Sequence, residues 1–280
     1  MNGSAKSAHG AQAAATPDRA RRIAEAARAQ FGRQAAHYTH SPNHARGDTL
    51  AMTVDLAGPQ AGERAADIAT GTGHTALAIA PRLGGAPVLA VDFTREMLEE
   101  ARRLAAARGL RQVRCVMGDA HALPIASGSL DLVTCRVAPH HFADPAAFVA
   151  EAARVLRPGG RLIVCDTASP GDAEADAWMH ATEVARDPSH VRNYTAAEWR
   201  AYVERAGLVL EHVEMGRWTH LGFDDWVRRG GASAETVAWL RRAFETAPPA
   251  ARAAFAIEPD PAVGFRFGWT VVLFRARRPA

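Results

Sequence analysis

The sequence predicts an α/β protein built on a doubly wound, mostly parallel sheet. Between residues 61 and 168, short apolar runs typical of buried strands alternate with Ala- and Leu-rich segments typical of helices. The first run, over residues 64–68, turns through Gly71 and Gly73 into an Ala/Leu-rich segment that ends at Leu83. A strand, a tight turn and a helix in this order form the first unit of such a fold.

Four further strands are expected in this core, over residues 87–92, 113–117, 130–136 and 161–166. Helices are predicted over 94–108 and 145–156, the second of which stops at Pro158, Gly159 and Gly160. Open α/β sheets bind their ligands at the carboxyl ends of the strands. Polar residues that follow the predicted strands are therefore the first candidates for a functional site.

The rest of the chain is predicted to add helices to this core. We expect residues 1–16, rich in Ala, Gly and Ser, to be a disordered tail. Residues 17–60 are predicted to be a helical segment, with helices over 19–31 and 47–57. Residues 169–207 form a second addition, and residues 208–280 contain two stretches of alternating pattern, 208–215 and 265–275, separated by an insertion with predicted helices over 223–229 and 234–244.

Composition narrows the class of protein. The 280 residues are 48% apolar and 22% charged, and no run approaches the roughly 18 apolar residues of a membrane span, so we expect a soluble, cytoplasmic protein. The arginines behind the net charge of +3 are scattered beside glutamates, which argues against nucleic acid as a partner. Three cysteines without C-x-x-C spacing argue against a disulfide framework or a metal site.

The glycine turn is the strongest chemical signal in the chain. Gly71 and Gly73 lack a Cβ, so their backbone N–H groups can approach a ligand closely. The spacing of these glycines, with Asp92 nineteen residues after Gly73, also fits a dinucleotide-binding fingerprint. Asp67, four residues before Gly71, favours another ligand, because a carboxylate there can bind an ammonium group but would repel a pyrophosphate.

These motifs resemble those of class I S-adenosylmethionine-dependent methyltransferases. The resemblance rests on Asp67-x-x-x-Gly71-x-Gly73, on Asp92, on Gly118-Asp119-Ala120 and on the turn Leu156-Arg-Pro-Gly-Gly-Arg-Leu162. It is to the group that includes the ubiquinone and menaquinone methyltransferases. It is closer still to poorly characterised bacterial members that share the runs from Cys135 to Phe142 and from Arg186 to Arg192.

The resemblance implies a Rossmann-like sheet of seven strands whose last strand is antiparallel, with residues 17–60 as a lid over the cofactor. It also implies that S-adenosylmethionine is the cofactor, with Asp67 at its methionine end, Asp92 at the ribose and Asp119 at the adenine. The cofactor contacts expected on this basis are Asp67, Ala69, Gly71, Thr72, Gly73, Asp92, Phe93, Met97, Gly118, Asp119, Ala120, Arg136 and Tyr38.

A histidine pair at the carboxyl end of the predicted fourth strand is the candidate catalytic group. Histidine is a suitable base if the methyl acceptor is a hydroxyl or an acidic carbon. His141 is the first choice and His140 the second, since neighbouring side chains of a loop often point apart. Alternatively, both histidines only form part of the wall of the site and take no part in the reaction. Expected contacts to a small-molecule acceptor are His141, Trp178, Arg186, His190, Tyr194 and Trp218.

Other functions stay open on the sequence alone. The cofactor could support a reaction other than methyl transfer, such as cyclisation of its aminobutyrate chain with release of methylthioadenosine. An NAD-dependent oxidoreductase or a cofactor-binding protein without activity would also fit part of the pattern. No metal is expected, and the additions allow either a monomer or a homodimer.

Overall fold

A seven-stranded sheet runs through the middle of the protein. The computed structural model describes residues 16–41, 45–217 and 221–280. In sheet order the strands are β3 (Val113–Met117), β2 (Val88–Asp92), β1 (Ala65–Ile68), β4 (Leu130–Arg136), β5 (Leu156–Thr167), β10 (Val271–Arg277) and β6 (Val209–Gly216). Strands β1 to β5 pair in parallel, whereas β10 is antiparallel to both of its neighbours. The predicted fold class, with its antiparallel last strand, is confirmed.

Helices cover both faces of the sheet. They are α1 (Pro17–His40), α2 (Asp48–Ala57), α3 (His74–Ile79), α4 (Arg95–Ala107), α5 (Pro145–Val155), α6 (Ala173–Arg186) and α7 (Ala196–Arg205). One face of the sheet packs against α5 and α7 through Phe148 and Trp199. The other packs against α2 and α3 through Val54 and Ile79. Because neighbouring residues of a strand point to opposite faces, both faces must be apolar, which explains the uninterrupted apolar runs in the sequence.

The insertion between β6 and β10 has a core of its own. It contains β7 (Leu221–Gly222), α8 (Phe223–Gly230), α9 (Ala234–Glu245), α10 (Pro249–Phe255), β8 (Glu258–Asp260) and β9 (Gly264–Phe267). The three short strands form a separate antiparallel sheet. The insertion shares a mainly aromatic core with α6, built from Trp178, Phe223, Trp226, Phe244, Phe255, Phe265, Phe267 and Trp269. The insertion and α6 are therefore one packed unit.

Three element boundaries differ from the sequence predictions by several residues, and the others by two residues at most. The first helix continues past Phe31 to His40, because no proline or glycine pair interrupts it before that point. The fifth strand begins at Leu156, since the Gly159–Gly160 segment pairs with Arg278 through two backbone hydrogen bonds of 2.9 Å. The last strand begins at Val271, because Phe265 pairs within the small sheet.

Residues 1–15 of the predicted tail lie outside the described part of the chain. Within the part that the structure describes, no helix combines the length and the apolar character that crossing a membrane requires.

The Phe274 ring joins the last strand to α7, and we expect its removal to destabilise the fold. Phe274 is fully buried and lies 5.4 Å from the Trp199 ring, measured between centroids. Phe274→Ala should lower the free energy of unfolding by about 3–5 kcal/mol, through lost burial and the cavity left behind. Urea denaturation measures this. Val213, the cross-strand partner of Phe274 on edge strand β6, is 37% exposed, so Val213→Ala should cost no more than about 1 kcal/mol. Equal losses in the two variants would contradict the packing described.

Candidate active site

The turn after β1 brings backbone close to an open cavity. Gly71 and Gly73 have φ angles of 55° and 87°, in the left-handed region that glycine adopts without strain. A Cβ on Gly73 would stand 3.0 Å from the Cβ of Ala101, so this position requires glycine for packing of the turn on α4. A Cβ on Gly71 would meet nothing nearer than Met97 Sδ at 4.0 Å. The second glycine of the turn therefore fixes its packing, and the first leaves room at the cavity.

Asp67 at the end of β1 is a buried carboxylate on the cavity wall. It is 1% exposed and accepts hydrogen bonds from Thr70 Oγ1 at 2.6 Å and Thr134 Oγ1 at 2.7 Å. Burial raises the pKa of Asp67 to about 6, and the two threonine hydroxyls oppose this shift. A carboxylate in this environment gains most from a cationic ligand group that enters the cavity.

Arg136 at the end of β4 supplies the opposite charge. Its side chain is buried on the same cavity wall and donates to Thr75 Oγ1 at 3.1 Å and to Thr49 Oγ1 at 3.3 Å. Burial lowers the pKa of Arg136 from its ordinary value, without bringing the guanidinium near neutrality. Asp67 and Arg136 together present the charges that would pair with an α-amino and an α-carboxyl group.

Asp92 ends β2, and its carboxylate orders the glycine turn. It accepts from the backbone N–H groups of Gly71 and Thr94, both at 2.8 Å. Burial raises the pKa of Asp92, and these N–H groups oppose the shift. The carboxylate lies on the cavity wall, where its remaining lone pairs can accept from hydroxyl groups of a ligand.

The far end of the cavity is formed by the segment after β3. Asp119 accepts from His121 through the backbone N–H at 2.9 Å and Nδ1 at 2.7 Å. Both hydrogen bonds lower the pKa of Asp119, and the one from the His121 side chain has the larger effect. The His121 ring meets Phe142 edge-on at 5.4 Å between centroids. Together they form an aromatic wall beside a carboxylate, which suits a flat heterocycle with an exocyclic amine.

The cavity measures about 440 Å³, and helix α1 forms its roof. Apart from Arg21, the α1 residues that line the cavity lie on one helical stripe, namely Ala20, Ile23, Ala24, Ala27, Phe31 and Tyr38. Hydrogen bonds that tie the roof to the body include those from Thr39 Oγ1 to Glu100 at 2.9 Å and from Gln30 Nε2 to the Gly230 carbonyl at 2.9 Å. The largely apolar roof shields the charged floor from water.

His140 and His141 occupy different environments. His141 lines the cavity, whereas His140 lies behind it with Nδ1 2.6 Å from Asp166 Oδ1. Burial alone would lower the pKa of His140, but the Asp166 carboxylate outweighs burial and raises it. Burial and then the neighbouring His140 lower the pKa of His141 to about 3. The Asp166 carboxylate therefore favours the charged form of His140 behind the cavity, whereas burial favours the neutral form of His141 on the cavity wall.

Comparison with known proteins identifies the family. The sequence model of the family described as methyltransferase domain matches residues 66–164. The uncharacterized methyltransferase YcgJ of Bacillus subtilis is 36% identical over 206 residues, which are 73% of this chain and 80% of that protein. The chain belongs to the methyltransferase family. The predicted class I S-adenosylmethionine-dependent methyltransferase is thereby confirmed, and S-adenosylmethionine rather than NAD is its cofactor.

Two further comparisons agree with this assignment. The crystal structure of the B. subtilis YcgJ protein matches this methyltransferase with a TM-score of 0.77 and 32% identity, over 83% of this chain and 98% of that one. A demethylmenaquinone methyltransferase of Thermus thermophilus is 47% identical over 117 residues, which are 42% of this chain and 53% of that protein. The first similarity extends over most of this chain, and the second over less than half of it.

Most of the predicted cofactor contacts of this methyltransferase come together around one cavity. Those on its wall are Asp67, Ala69, Gly71, Thr72, Asp92, Phe93, Met97, Gly118, Asp119, Ala120, Arg136 and Tyr38. Gly73 instead packs behind the turn. His141 also lies on the wall, and His140 stands one layer behind it.

The structure places the other predicted acceptor contacts away from the cavity wall. Trp178 belongs to the core of the insertion and donates from Nε1 to the Ala243 carbonyl at 3.2 Å. Arg186 donates to the Trp226 carbonyl at 3.0 Å. Tyr194 packs with Trp199 in the core beside the sheet. His190 is buried behind the histidine pair, 5.5 Å from the His140 ring between centroids, and Trp218 lies outside the described residues.

Several cavity residues were not singled out from the sequence. His121 and Phe142 form the aromatic wall, and they come from separate loops that only the fold brings together. Ile23 and Phe31 of the roof do carry a signal, since they fall on the four-residue apolar repeat of the first helix. That repeat predicts a buried face but does not reveal that this face covers a ligand cavity.

The buried Asp67 carboxyl should make stability depend on pH. Its folded pKa of about 6 lies above its ordinary value of 3.8, so the folded state favours the proton. The resulting stabilisation is complete below pH 4 and is lost as the pH rises through 6, by about 3 kcal/mol for a shift of roughly two units. Asp67→Asn is neutral throughout and should lack this loss in urea denaturation between pH 4 and 7.

The control is Asp55→Asn, at a carboxylate whose side chain is 70% exposed. Its stability should follow the wild type across the same pH range. Parallel curves for Asp67→Asn and the wild type would show that Asp67 is not held as a protonated acid.

Proposed function

We propose that this protein transfers a methyl group from S-adenosylmethionine to a small-molecule acceptor. One observation carries the proposal: a single cavity joins the Asp67, Asp92 and Asp119 carboxylates to the neutral ring of His141. The three carboxylates match the ammonium, the ribose hydroxyls and the adenine amine of the cofactor. His141 then marks the side of the cavity where an acceptor would enter.

The proposed contacts follow the chemistry of each wall. Asp67 binds the ammonium group of the methionine end, and Arg136 pairs with its carboxylate. Asp92 accepts from the ribose hydroxyls while it holds the glycine turn in place. Asp119 accepts from the adenine amine, and His121 and Phe142 flank the ring. No contact requires a rearrangement of the strands, so the site is largely preformed for the cofactor.

A small acceptor is supported by the shape and lining of the site. The roof of α1 closes over the cavity and leaves about 440 Å³, much of which the cofactor would fill. Apolar side chains of α1, including Ile23 and Phe31, suit an apolar or aromatic acceptor. The relative from T. thermophilus is named for demethylmenaquinone, a small molecule with an aromatic head, which agrees with this class of acceptor.

The protein's main contribution is alignment of the two reactants. Bound S-adenosylmethionine supplies a methyl group on a positively charged sulfur, which is already activated for in-line displacement. The chain holds donor and acceptor in one orientation under α1, and this orientation can supply much of the rate. The neutral ring of His141 can accept a hydrogen bond from the acceptor and take its proton, but its pKa of about 3 makes it a weaker base than an ordinary histidine.

Asp92→Asn tests the cofactor site. Loss of a charged hydrogen-bond acceptor, about 1.5–3 kcal/mol, should weaken binding of S-adenosylmethionine and S-adenosylhomocysteine by at least about tenfold in calorimetry. Asp224→Asn removes an exposed carboxylate of the insertion, which pairs with Arg241, and should leave both affinities unchanged. Binding of NADH, with no binding of either sulfur ligand to the wild type, would refute the proposed site.

His141→Gln tests the chemical step. The wild type is incubated with radiolabelled S-adenosylmethionine and a panel of small aromatic acceptors that begins with 1,4-dihydroxynaphthalene. On an acceptor that is methylated, His141→Gln should lower turnover by about 10²-fold or more, the usual contribution of a general base, and leave S-adenosylhomocysteine affinity unchanged. His180→Gln, at an exposed histidine of α6, is the matched control. Release of methylthioadenosine in place of S-adenosylhomocysteine would show cyclisation rather than methyl transfer.

A further inference from the structure

The segment after α6 holds the ring of His141 from behind. His141 Nδ1 lies 3.0 Å from the Ser189 carbonyl oxygen and 3.1 Å from Ser189 Oγ. Ser189 Oγ in turn donates to Asp187 Oδ1 at 2.6 Å, and the Ser189 backbone N–H donates to the same oxygen at 2.9 Å. Asp187 is 1% exposed and Ser189 is 2% exposed. The result is a buried chain of hydrogen bonds from Asp187 through Ser189 to the histidine that faces the cavity.

This chain determines which ring nitrogen carries the proton. A carbonyl oxygen only accepts, so the Ser189 carbonyl requires a proton on Nδ1 of His141. The single hydroxyl proton of Ser189 is directed to Asp187, which leaves Ser189 Oγ as a second acceptor for Nδ1. Neutral imidazole has one N–H group. With that proton on Nδ1, the lone pair of Nε2 is available on the side of the ring that Ser189 does not occupy.

The Asp187 carboxylate is suited to this role because it is ionised. Burial opposes ionisation, but the hydrogen bonds from Ser189 and the Arg186 guanidinium favour the charged form, and the pKa of Asp187 lies below its ordinary value. An ionised carboxylate is an acceptor only, so it fixes the direction of the Ser189 hydroxyl.

The same segment also binds the backbone of His140, and this fixes the positions of the two histidines relative to each other. The His140 carbonyl accepts from the backbone N–H groups of Val191 at 2.9 Å and Arg192 at 3.2 Å. The His140 ring is held by Asp166 on its other side and lies 4.1 Å from the His141 ring between centroids. The segment of residues 187–192 therefore sets both the backbone and the ring of the histidine turn.

We propose that Ser189 and Asp187 are positioning residues that hold His141 in the Nδ1–H form, and that the acceptor therefore carries a proton that Nε2 removes. This inference rests on the proposed function. It narrows the acceptor to a nucleophile that carries a removable proton, such as a hydroxyl compound or an acidic carbon, and it excludes nucleophiles that lose no proton, such as a pyridine nitrogen or a thioether.

The proposed step balances in atoms and charge. His141 Nε2 takes the acceptor proton while an electron pair of the acceptor oxygen or carbon forms the bond to the methyl carbon. The electron pair of the breaking carbon–sulfur bond stays on sulfur, whose positive charge is lost. His141 becomes an imidazolium with both nitrogens protonated, so the total charge is unchanged. Asp187 and Ser189 then lie on the side of the ring where the new charge needs stabilisation.

The test reads the protonation state of His141 directly in the full chain. Two-bond proton–nitrogen NMR spectra of ¹⁵N-histidine-labelled protein distinguish the two neutral forms, and His141→Gln assigns the His141 signals among the twelve histidines. The wild type at neutral pH should show the Nδ1–H form. Ser189→Ala removes one of the two acceptors and should shift the ratio of forms toward Nε2–H by about fivefold, the effect of losing one neutral hydrogen bond.

Ser169→Ala is the matched control, because Ser169 is a buried serine whose hydroxyl contacts Gly171 rather than a histidine. It should leave the His141 signals unchanged. The proposal would be overturned if the wild type showed the Nε2–H form, or if Ser189→Ala did not alter the ratio of the Nδ1–H to the Nε2–H form. Calorimetry with S-adenosylhomocysteine on the same samples separates this result from the cofactor site, since Ser189→Ala should bind it as the wild type does.

The acceptor class is tested with two probes of opposite character. The proposal expects methylation of 1,4-dihydroxynaphthalene and none of nicotinamide, whose ring nitrogen has no proton to lose. On the hydroxyl probe, Ser189→Ala should lower kcat with little change in KM. Methylation of nicotinamide alone would overturn the inference on the acceptor and leave methyl transfer itself established.

Discussion

The position of β1 between β2 and β4 is the constraint on which the site depends. The chain leaves β1 toward one side of the sheet to reach β2, and later crosses to the other side to form β4. The loops that follow β1 and β4 therefore diverge and leave a crevice at the carboxyl ends of the strands. Asp67, Asp92 and Arg136, each at the end of its own strand, converge on that crevice without being near in sequence. The strand order therefore creates the crevice, and the side chains at the strand ends determine which ligand groups the crevice can bind.

Much of the cofactor half of the site could be predicted from sequence because its determinants are local. The separation of Asp67 from the glycine turn is fixed by one strand and one turn, so short-range spacing describes it. The surroundings of His141, where we propose that the acceptor binds, could not be predicted from short-range spacing. Asp187 and Ser189 reach His141 across a separation of about fifty residues, and only the packing of α6 and the insertion sets that distance. For the same reason Arg186 and Trp178 were expected at the cavity, whereas their partners lie in the insertion. Polar residues in a segment without known motifs indicate that the segment makes contacts, but they do not indicate which element it contacts.

Two buried ion pairs lie behind the cavity, one at the histidine turn and one on α6. His140 pairs with Asp166 of β5, and Arg186 pairs with Glu183 at 3.5 Å and lies over the Trp226 ring. Burying such pairs in place of apolar residues gives little net stability, since desolvation offsets much of the attraction. Leaving one partner alone is strongly unfavourable, however, so each pair admits few alternative arrangements. The His140–Asp166 pair fixes the histidine turn on β5, and Arg186 joins α6 to the insertion through the carbonyl and the ring of Trp226, while the aromatic core supplies the cohesion of that unit.

The roof formed by α1 also has a kinetic consequence. Helix α1 covers part of the cavity, and hydrogen bonds of Gln30 and Thr39 restrain it there. If reactants exchange by separation of α1 from α4 and α8, each catalytic cycle includes an opening event. Opening of this kind commonly limits kcat in enzymes whose chemistry is fast. The rate of turnover would in that case report the strength of the hydrogen bonds that Gln30 and Thr39 make from a buried position more than the reactivity of the sulfonium.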